Sequence, residues 1–184
     1  MNASLRDGQA TELTSQNWAG HWHGYGPWIG PPDQYHQEGN RRPPHPDPPP
    51  PPTSDDDKQA IRLMQRYREA ANEFENSGLP PIMTGHWLVK RGQTAADRTW
   101  TDATGAIEWL KQHYVDNPPF ERPDGLQAYI ELDALIEYTY DGLSRGVDTT
   151  WSHYTQGTSL LSMSVVCCPN LFHPAIDCPL PPRS

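Results

Sequence analysis

Two short stretches of this 184-residue chain carry the side chains best suited to chemistry. The first is a C-terminal run in which Cys168, His173 and Cys178 are separated by four residues on either side. Thiolates and imidazoles are the ligands that zinc prefers in proteins. These three residues therefore form one candidate metal site.

The C-terminal run resembles the second half of a zinc knuckle over these few residues only. The first cysteine of the knuckle has no counterpart, because Val165 occupies its place and Cys167 is displaced by two positions. The usual glycine of the knuckle is also absent, and Pro169 and Pro174 stiffen the loop. We therefore do not carry over the nucleic-acid function of that family.

Two other interpretations of these cysteines remain open. Cys167 could lie on the inner face of the last predicted strand, where a free cysteine behaves as a small apolar side chain. One of the thiols could instead have a redox or catalytic role, which would require a nearby cation to lower its pKa.

The second stretch is the sequence His21-Trp22-His23. In an extended segment His21 and His23 project to the same side, so both imidazoles could bind one zinc or copper ion. His36 or Asp33 could complete the ligand set. The alternative is that imidazoles interleaved with aromatic rings form a stacking and hydrogen-bonding surface.

The aromatic residues around this histidine pair predict a protein-binding segment. Residues 17–28 are too rich in glycine for a stable helix and too aromatic for an ordinary disordered tail. Tryptophan and tyrosine dominate binding energy when they are buried at an interface. We expect these rings to contact their own domain, a second subunit or another protein, and the residues are Trp18, Trp22, Tyr25 and Trp28.

The prolines divide the chain into two parts. Residues 1–54 hold 11 of the 21 prolines, and Pro48–Pro52 predicts a polyproline II spacer. We expect an extended aromatic and proline-rich arm and linker over residues 1–54. A compact α+β domain is predicted over residues 55–184, with an irregular proline-rich tail from about residue 169.

Capping signals and periodicity predict about three helices packed on a mainly antiparallel sheet. The first helix begins with Ser54 as its N-cap, and the second begins at Thr101 or Asp102. The third is capped by Asp133 and closed by Gly146. Predicted strands cover residues 86–91, 98–101, 126–132, 147–155 and 160–168.

Composition argues against several classes of protein. A net charge of -9 with scattered Lys and Arg disfavours a nucleic-acid binder. The chain has no apolar run of about 20 residues, no charged-then-apolar secretion signal and no disulfide framework, so we expect a cytoplasmic protein without a membrane partner. Dinucleotide fingerprints, phosphate loops and nucleophile elbows are absent, so we expect no common organic cofactor, and zinc at one of the two candidate sites is the alternative to a chain without any cofactor.

Three functions fit these features, and the first is the leading hypothesis. In that hypothesis the protein serves interaction or assembly, and the aromatic arm docks on its own domain or on a second subunit of a homo-oligomer. The rival is a small zinc-dependent enzyme whose pocket is closed by the arm. The third is a binding protein for a small hydrophobic or aromatic ligand.

Overall fold

A four-stranded antiparallel sheet forms the centre of the computed structural model, which describes residues 18–125 and 129–182. The strands are β1 (His21–Gly30), β2 (Thr99–Trp100), β3 (Thr149–Tyr154) and β4 (Leu160–Cys168). Their order across the sheet is β2-β1-β4-β3. The predicted mixed α+β class with an antiparallel sheet is confirmed.

Four α-helices accompany the sheet in the described residues: α1 (Pro32–Tyr35), α2 (Lys58–Asn76), α3 (Ala103–Asp116) and α4 (Leu132–Ser144). Short 3₁₀ segments cover Glu38–Arg41, Thr84–Val89, Arg91–Gln93 and Ala96–Arg98. Helix α3 begins at the predicted cap, since the Asp102 carboxylate accepts a hydrogen bond from the Gly105 amide. The prediction of Ser54 as the first N-cap is wrong, because Asp57 accepts the capping bond from the Ala60 amide.

The predicted strand over residues 86–91 is also wrong. Trp87 and Leu88 are both buried, whereas consecutive residues of a strand point to opposite faces. A 3₁₀ turn bends the backbone so that both side chains can be buried, and the Lys90 amide donates to the Trp87 carbonyl. The strand predicted over residues 126–132 lies partly outside the described residues, and its end differs from the prediction because α4 begins at Leu132.

The segment of residues 21–30, which the prolines and glycines place in the arm, is an inner strand of the sheet. It pairs with β2 on one side and along β4 on the other, from His21 opposite Cys168 to Gly30 opposite Leu160. The register shifts between Tyr25 and Trp28. The polyproline linker therefore follows a strand that belongs to the core.

Alternation along β1 sends its side chains to two different cores. Trp22 packs on the side of α3 and α4, together with Leu110 and Trp151. Tyr25 lies on the opposite face and stacks on Trp87, with ring centroids 5.0 Å apart and an interplanar angle of 8°. His21 and His23 share the parity of Tyr25, so they face away from the two helices.

Candidate metal centre

Four side chains gather at the end of β1 and β4: His21, His23, Cys168 and Cys178. Their ligand atoms all lie within 4.8 Å of one another. His21 Nε2 is 3.1 Å from His23 Nε2 and 3.2 Å from Cys178 Sγ. His23 Nε2 is 3.5 Å from the same sulfur. This group could bind a metal ion.

The sheet itself positions three of the four ligands. His21 and His23 point to the same face because they are two residues apart on β1. Cys168 lies directly opposite His21 in the β1–β4 pair, and opposed residues of an antiparallel pair project to the same side. Cys178 arrives from the irregular segment that follows β4.

The separations agree with the edges of a tetrahedral coordination shell. Bonds of about 2.0–2.1 Å to nitrogen and about 2.3 Å to sulfur place two nitrogens about 3.3 Å apart and a nitrogen and a sulfur about 3.6 Å apart. The observed nitrogen–nitrogen distance is 3.1 Å, and the nitrogen–sulfur distances are 3.2 and 3.5 Å. Three of the four ligand atoms, those of His21, His23 and Cys178, are therefore spaced as in a tetrahedral shell, and Cys168 Sγ lies within 4.8 Å of each of them.

A hydrogen bond outside the cluster fixes the tautomer of His23. Its Nδ1 lies 3.0 Å from Thr99 Oγ1, and the Thr99 hydroxyl donates to the Ala95 carbonyl at 2.9 Å. Because the hydroxyl proton is engaged there, Thr99 accepts the proton of His23 Nδ1. The Nε2 lone pair of His23 is then directed into the cluster, as metal-binding histidines require.

Burial sets the protonation of these groups. Burial lowers the pKa of His23 to about 4, with a further contribution from His21, and it also lowers the pKa of His21. Neutral imidazoles are the form that binds metals. Burial, followed by the interaction with Cys178, raises the pKa of the Cys168 thiol to about 12. A cation must therefore displace the thiol proton to bind.

Asp148 and Asn170 hold the turn that leads from β4 towards Cys178. The half-buried Asp148 carboxylate accepts hydrogen bonds from the Cys167 amide at 2.8 Å and from Asn170 Nδ2. Asn170 Oδ1 in turn accepts from the amides of Phe172 and His173. Burial raises the pKa of Asp148, and the hydrogen bonds from Cys167 and Asn170 oppose that shift.

The structure combines the two predicted ligand sets into one and leaves some of their members out. His173 lies outside the four-residue cluster, and its ring packs on His86 with centroids 4.5 Å apart. Asp33 and His36 are exposed, in α1 and directly after it. Sequence reasoning missed Thr99, Asp148 and Asn170, whose positioning roles depend on contacts with residues distant in the chain.

The aromatic residues predicted to bind a partner all contact residues of their own chain, and they are Trp18, Trp22, Tyr25 and Trp28. Trp22 is 6% exposed, and its indole donates to the Leu143 carbonyl at 3.3 Å. Tyr25 is 0% exposed. These two rings are buried within their own chain, and partner binding or self-association through this segment stays a prediction.

Within residues 18–125 and 129–182, none of the helices combines the length and the apolar character that crossing a membrane would require. The cytoplasmic location and the absence of a nucleic-acid partner stay predictions.

Comparison with protein-family models, with curated proteins and with solved structures finds no match for this chain.

Proposed function

We propose that this protein binds one zinc ion through His21, His23, Cys168 and Cys178, and that the ion fastens β1 and the segment after β4 to each other. The observation that carries the proposal is the convergence of four nitrogen and sulfur atoms within 4.8 Å of one another. Two of these atoms are histidine nitrogens and two are cysteine sulfurs, and both are ligands that structural zinc sites use.

The donor set favours zinc over other common ions. Magnesium and calcium take oxygen ligands, and copper(II) prefers tetragonal sites, whereas two thiolates and two imidazoles in a tetrahedron suit zinc. Two thiolates also neutralise the charge of a divalent ion. Neutrality matters here because His23 and Cys168 are buried, and an unpaired buried charge is costly.

The number of protein ligands supports a structural ion over a catalytic one. Catalytic zinc sites keep three protein ligands and leave a fourth position for water or substrate. Here four side chains offer ligand atoms to one ion. Two of them lie on β1, near the beginning of the described chain, and the other two lie near its end. An ion that closes such a long loop stabilises the folded state, since the unfolded chain lacks the site.

Metal analysis of the full chain tests this proposal. We expect one zinc per chain by elemental analysis, and cobalt substitution should give the visible bands of a tetrahedral site together with thiolate-to-cobalt charge transfer. Cys168→Ser and His23→Ala should each lose stoichiometric metal. His173→Ala is the matched control and should retain it. A metal-free wild-type protein, or a Cys168→Ser variant that keeps stoichiometric zinc, would contradict the proposal.

A second function is favoured by a separate cavity of about 1180 Å³ on the side of α3 and α4. Its wall includes Tyr114, Trp151 and His153. Tyr114 contacts the other two rings edge to face, with centroids 5.8 and 5.1 Å apart. A cavity of this size with an aromatic wall fits a small apolar or aromatic ligand, which supports the third hypothesis from the sequence.

Titration with a fluorescent naphthalene dye tests this second function. We expect saturable binding that is weakened by Tyr154→Ala, since Tyr154 lines the cavity and is 48% exposed. Tyr138→Ala is the control, because Tyr138 is 73% exposed and lies outside the cavity wall. Equal dye affinity in wild type and Tyr154→Ala would count against ligand binding in this cavity.

A further inference from the structure

Two of the four proposed zinc ligands are cysteines whose sulfur atoms are close neighbours. Cys168 Sγ and Cys178 Sγ belong to the group of ligand atoms within 4.8 Å of one another. A tetrahedral zinc centre would hold two sulfurs about 3.8 Å apart. A disulfide requires about 2.05 Å, so a small displacement of one sulfur suffices to form it.

We propose that Cys168 and Cys178 form a reversible dithiol–disulfide pair, and that oxidation of this pair by a peroxide releases the zinc ion. This inference rests on the proposed zinc site. It assigns the site a regulatory chemistry, in which the metal-bound state is the reduced state.

The oxidation balances with hydrogen peroxide as the oxidant. A zinc-bound thiolate attacks one peroxide oxygen, the O–O bond breaks, and the sulfur becomes a sulfenic acid while hydroxide leaves. The second thiolate attacks that sulfur, forms the S–S bond and expels the second hydroxide. The two sulfurs lose two electrons, which reduce the peroxide, and both zinc–sulfur bonds are broken.

The structure indicates which cysteine reacts first. Cys168 is 2% exposed and held in β4, whereas Cys178 is half-buried in the irregular segment after that strand. Greater access favours Cys178 as the sulfur that meets the peroxide. Cys168 then acts as the resolving thiol.

Cys167 is a poor competitor for this pairing. Its side chain points to the opposite face, where it packs in the core with Trp22 and Met163. Its backbone amide is also bound to Asp148. Adjacent cysteines pair only with strain, so a bond between Cys167 and Cys168 is disfavoured. Cys167 therefore serves as the control cysteine when the pairing of Cys168 with Cys178 is tested.

Oxidation should also free the rest of the site. Once both sulfurs are consumed, His21 and His23 alone offer two ligands, which is too few to hold zinc as tightly as four. The segment after β4 then remains linked to β4 by the disulfide and loses its link to β1. The expected result is a change confined to the cluster, with the sheet preserved by its own hydrogen bonds.

Peroxide treatment of the zinc-loaded full chain tests the inference. Zinc is quantified before treatment, its release is followed with a chromogenic chelator, and peptide mapping without reductant locates the disulfide. We expect one bond between Cys168 and Cys178 for each zinc released, and recovery of the zinc site by dithiothreitol and added zinc. Cys167→Ala should behave as wild type, and Cys178→Ser should form no such bond.

Two results would overturn the inference while leaving the proposed function intact. In the first, zinc is bound beforehand and peroxide leaves it in place. In the second, zinc leaves while the thiols proceed to sulfinic acids without the bond between Cys168 and Cys178. A chain that holds no zinc before oxidation would overturn the proposed function, and the inference with it.

Discussion

His21 and Cys168 lie directly opposite each other as register partners of β1 and β4, with the imidazole and the thiol on the same face of the sheet. Cys178 Sγ completes this contact at 3.2 Å from His21 Nε2. β1 and β4 already pair along the sheet, so an ion bound here would add a link between these two strands and the segment that follows β4. The proposed site is thus placed where a metal adds a restraint that the sheet alone lacks.

Removal of zinc should lower the melting temperature. A ligand that binds only the folded state adds about 4 kcal/mol when its free concentration is 1,000 times its Kd. For a chain of this size each kcal/mol corresponds to about 2–4 °C, so we expect a fall of roughly 8–16 °C. Calorimetry with and without a chelator measures it.

Two controls accompany the calorimetry. Added zinc should restore the original transition, and added magnesium should leave the chelated protein unchanged, because magnesium does not favour thiolate or imidazole ligands. The prediction is wrong if the chelated and zinc-loaded proteins melt at the same temperature.

Thr99→Val should weaken zinc binding without removing a ligand. Thr99 accepts the Nδ1 proton of His23, and the loss of such an outer partner usually lowers metal affinity by about 10–100-fold. Competition with a chelator of known affinity measures the change. Thr99→Ser keeps the hydroxyl and should retain most of the affinity, so equal weakening in both variants would show that the hydrogen bond has no part in it.

The elements that the sequence predicted correctly are those with local signals. Asp102 caps α3 as expected, and the strands around residues 149–154 and 160–168 follow from their β-branched and apolar runs. The ligand types in both candidate metal sites were also visible. The sequence did not predict that members of the two ligand sets lie in one cluster, because their proximity depends on the long-range pairing of β1 with β4.

The missed strand β1 illustrates how tertiary packing overrides propensity. Gly24 and Gly26 lower the strand propensity of this segment, so the sequence indicated an arm. In the fold, a Cβ at Gly24 would meet the Trp100 ring at 2.8 Å. The glycine thus permits Trp100 to lie over β1, and the absence of a side chain reflects close packing.

Gly24→Ala should therefore destabilise the protein by about 1–3 kcal/mol, the usual cost of overpacking. Urea unfolding measures the free energy of unfolding. Gly39→Ala is the matched control, since a Cβ at Gly39 meets no atom within 4 Å and should change the stability little. Equal stability of the two variants would contradict the close contact between Gly24 and Trp100.

Acid should destabilise the fold in part through His153. Burial lowers the pKa of His153, while its Nε2 donates to the Asn117 carbonyl at 2.7 Å, which partly offsets that shift. The pKa in the unfolded chain is near 6.5, so below this pH the unfolded state binds a proton that the folded state resists. The unfolded state then holds more protons, and the free energy of unfolding decreases as the pH falls from 7 towards 5.

His153→Gln isolates this contribution, because the glutamine amide can still donate to the Asn117 carbonyl but does not titrate. We expect the free energy of unfolding to decrease less between pH 7 and pH 5 in this variant than in wild type, with both proteins kept zinc-free by a chelator. Under those conditions the remaining histidines, including His21 and His23, titrate in both proteins and cancel in the comparison. The exposed His36 provides the control, and His36→Gln should follow wild type. If His153→Gln loses as much stability as wild type over this range, the buried neutral imidazole is not a source of the acid sensitivity.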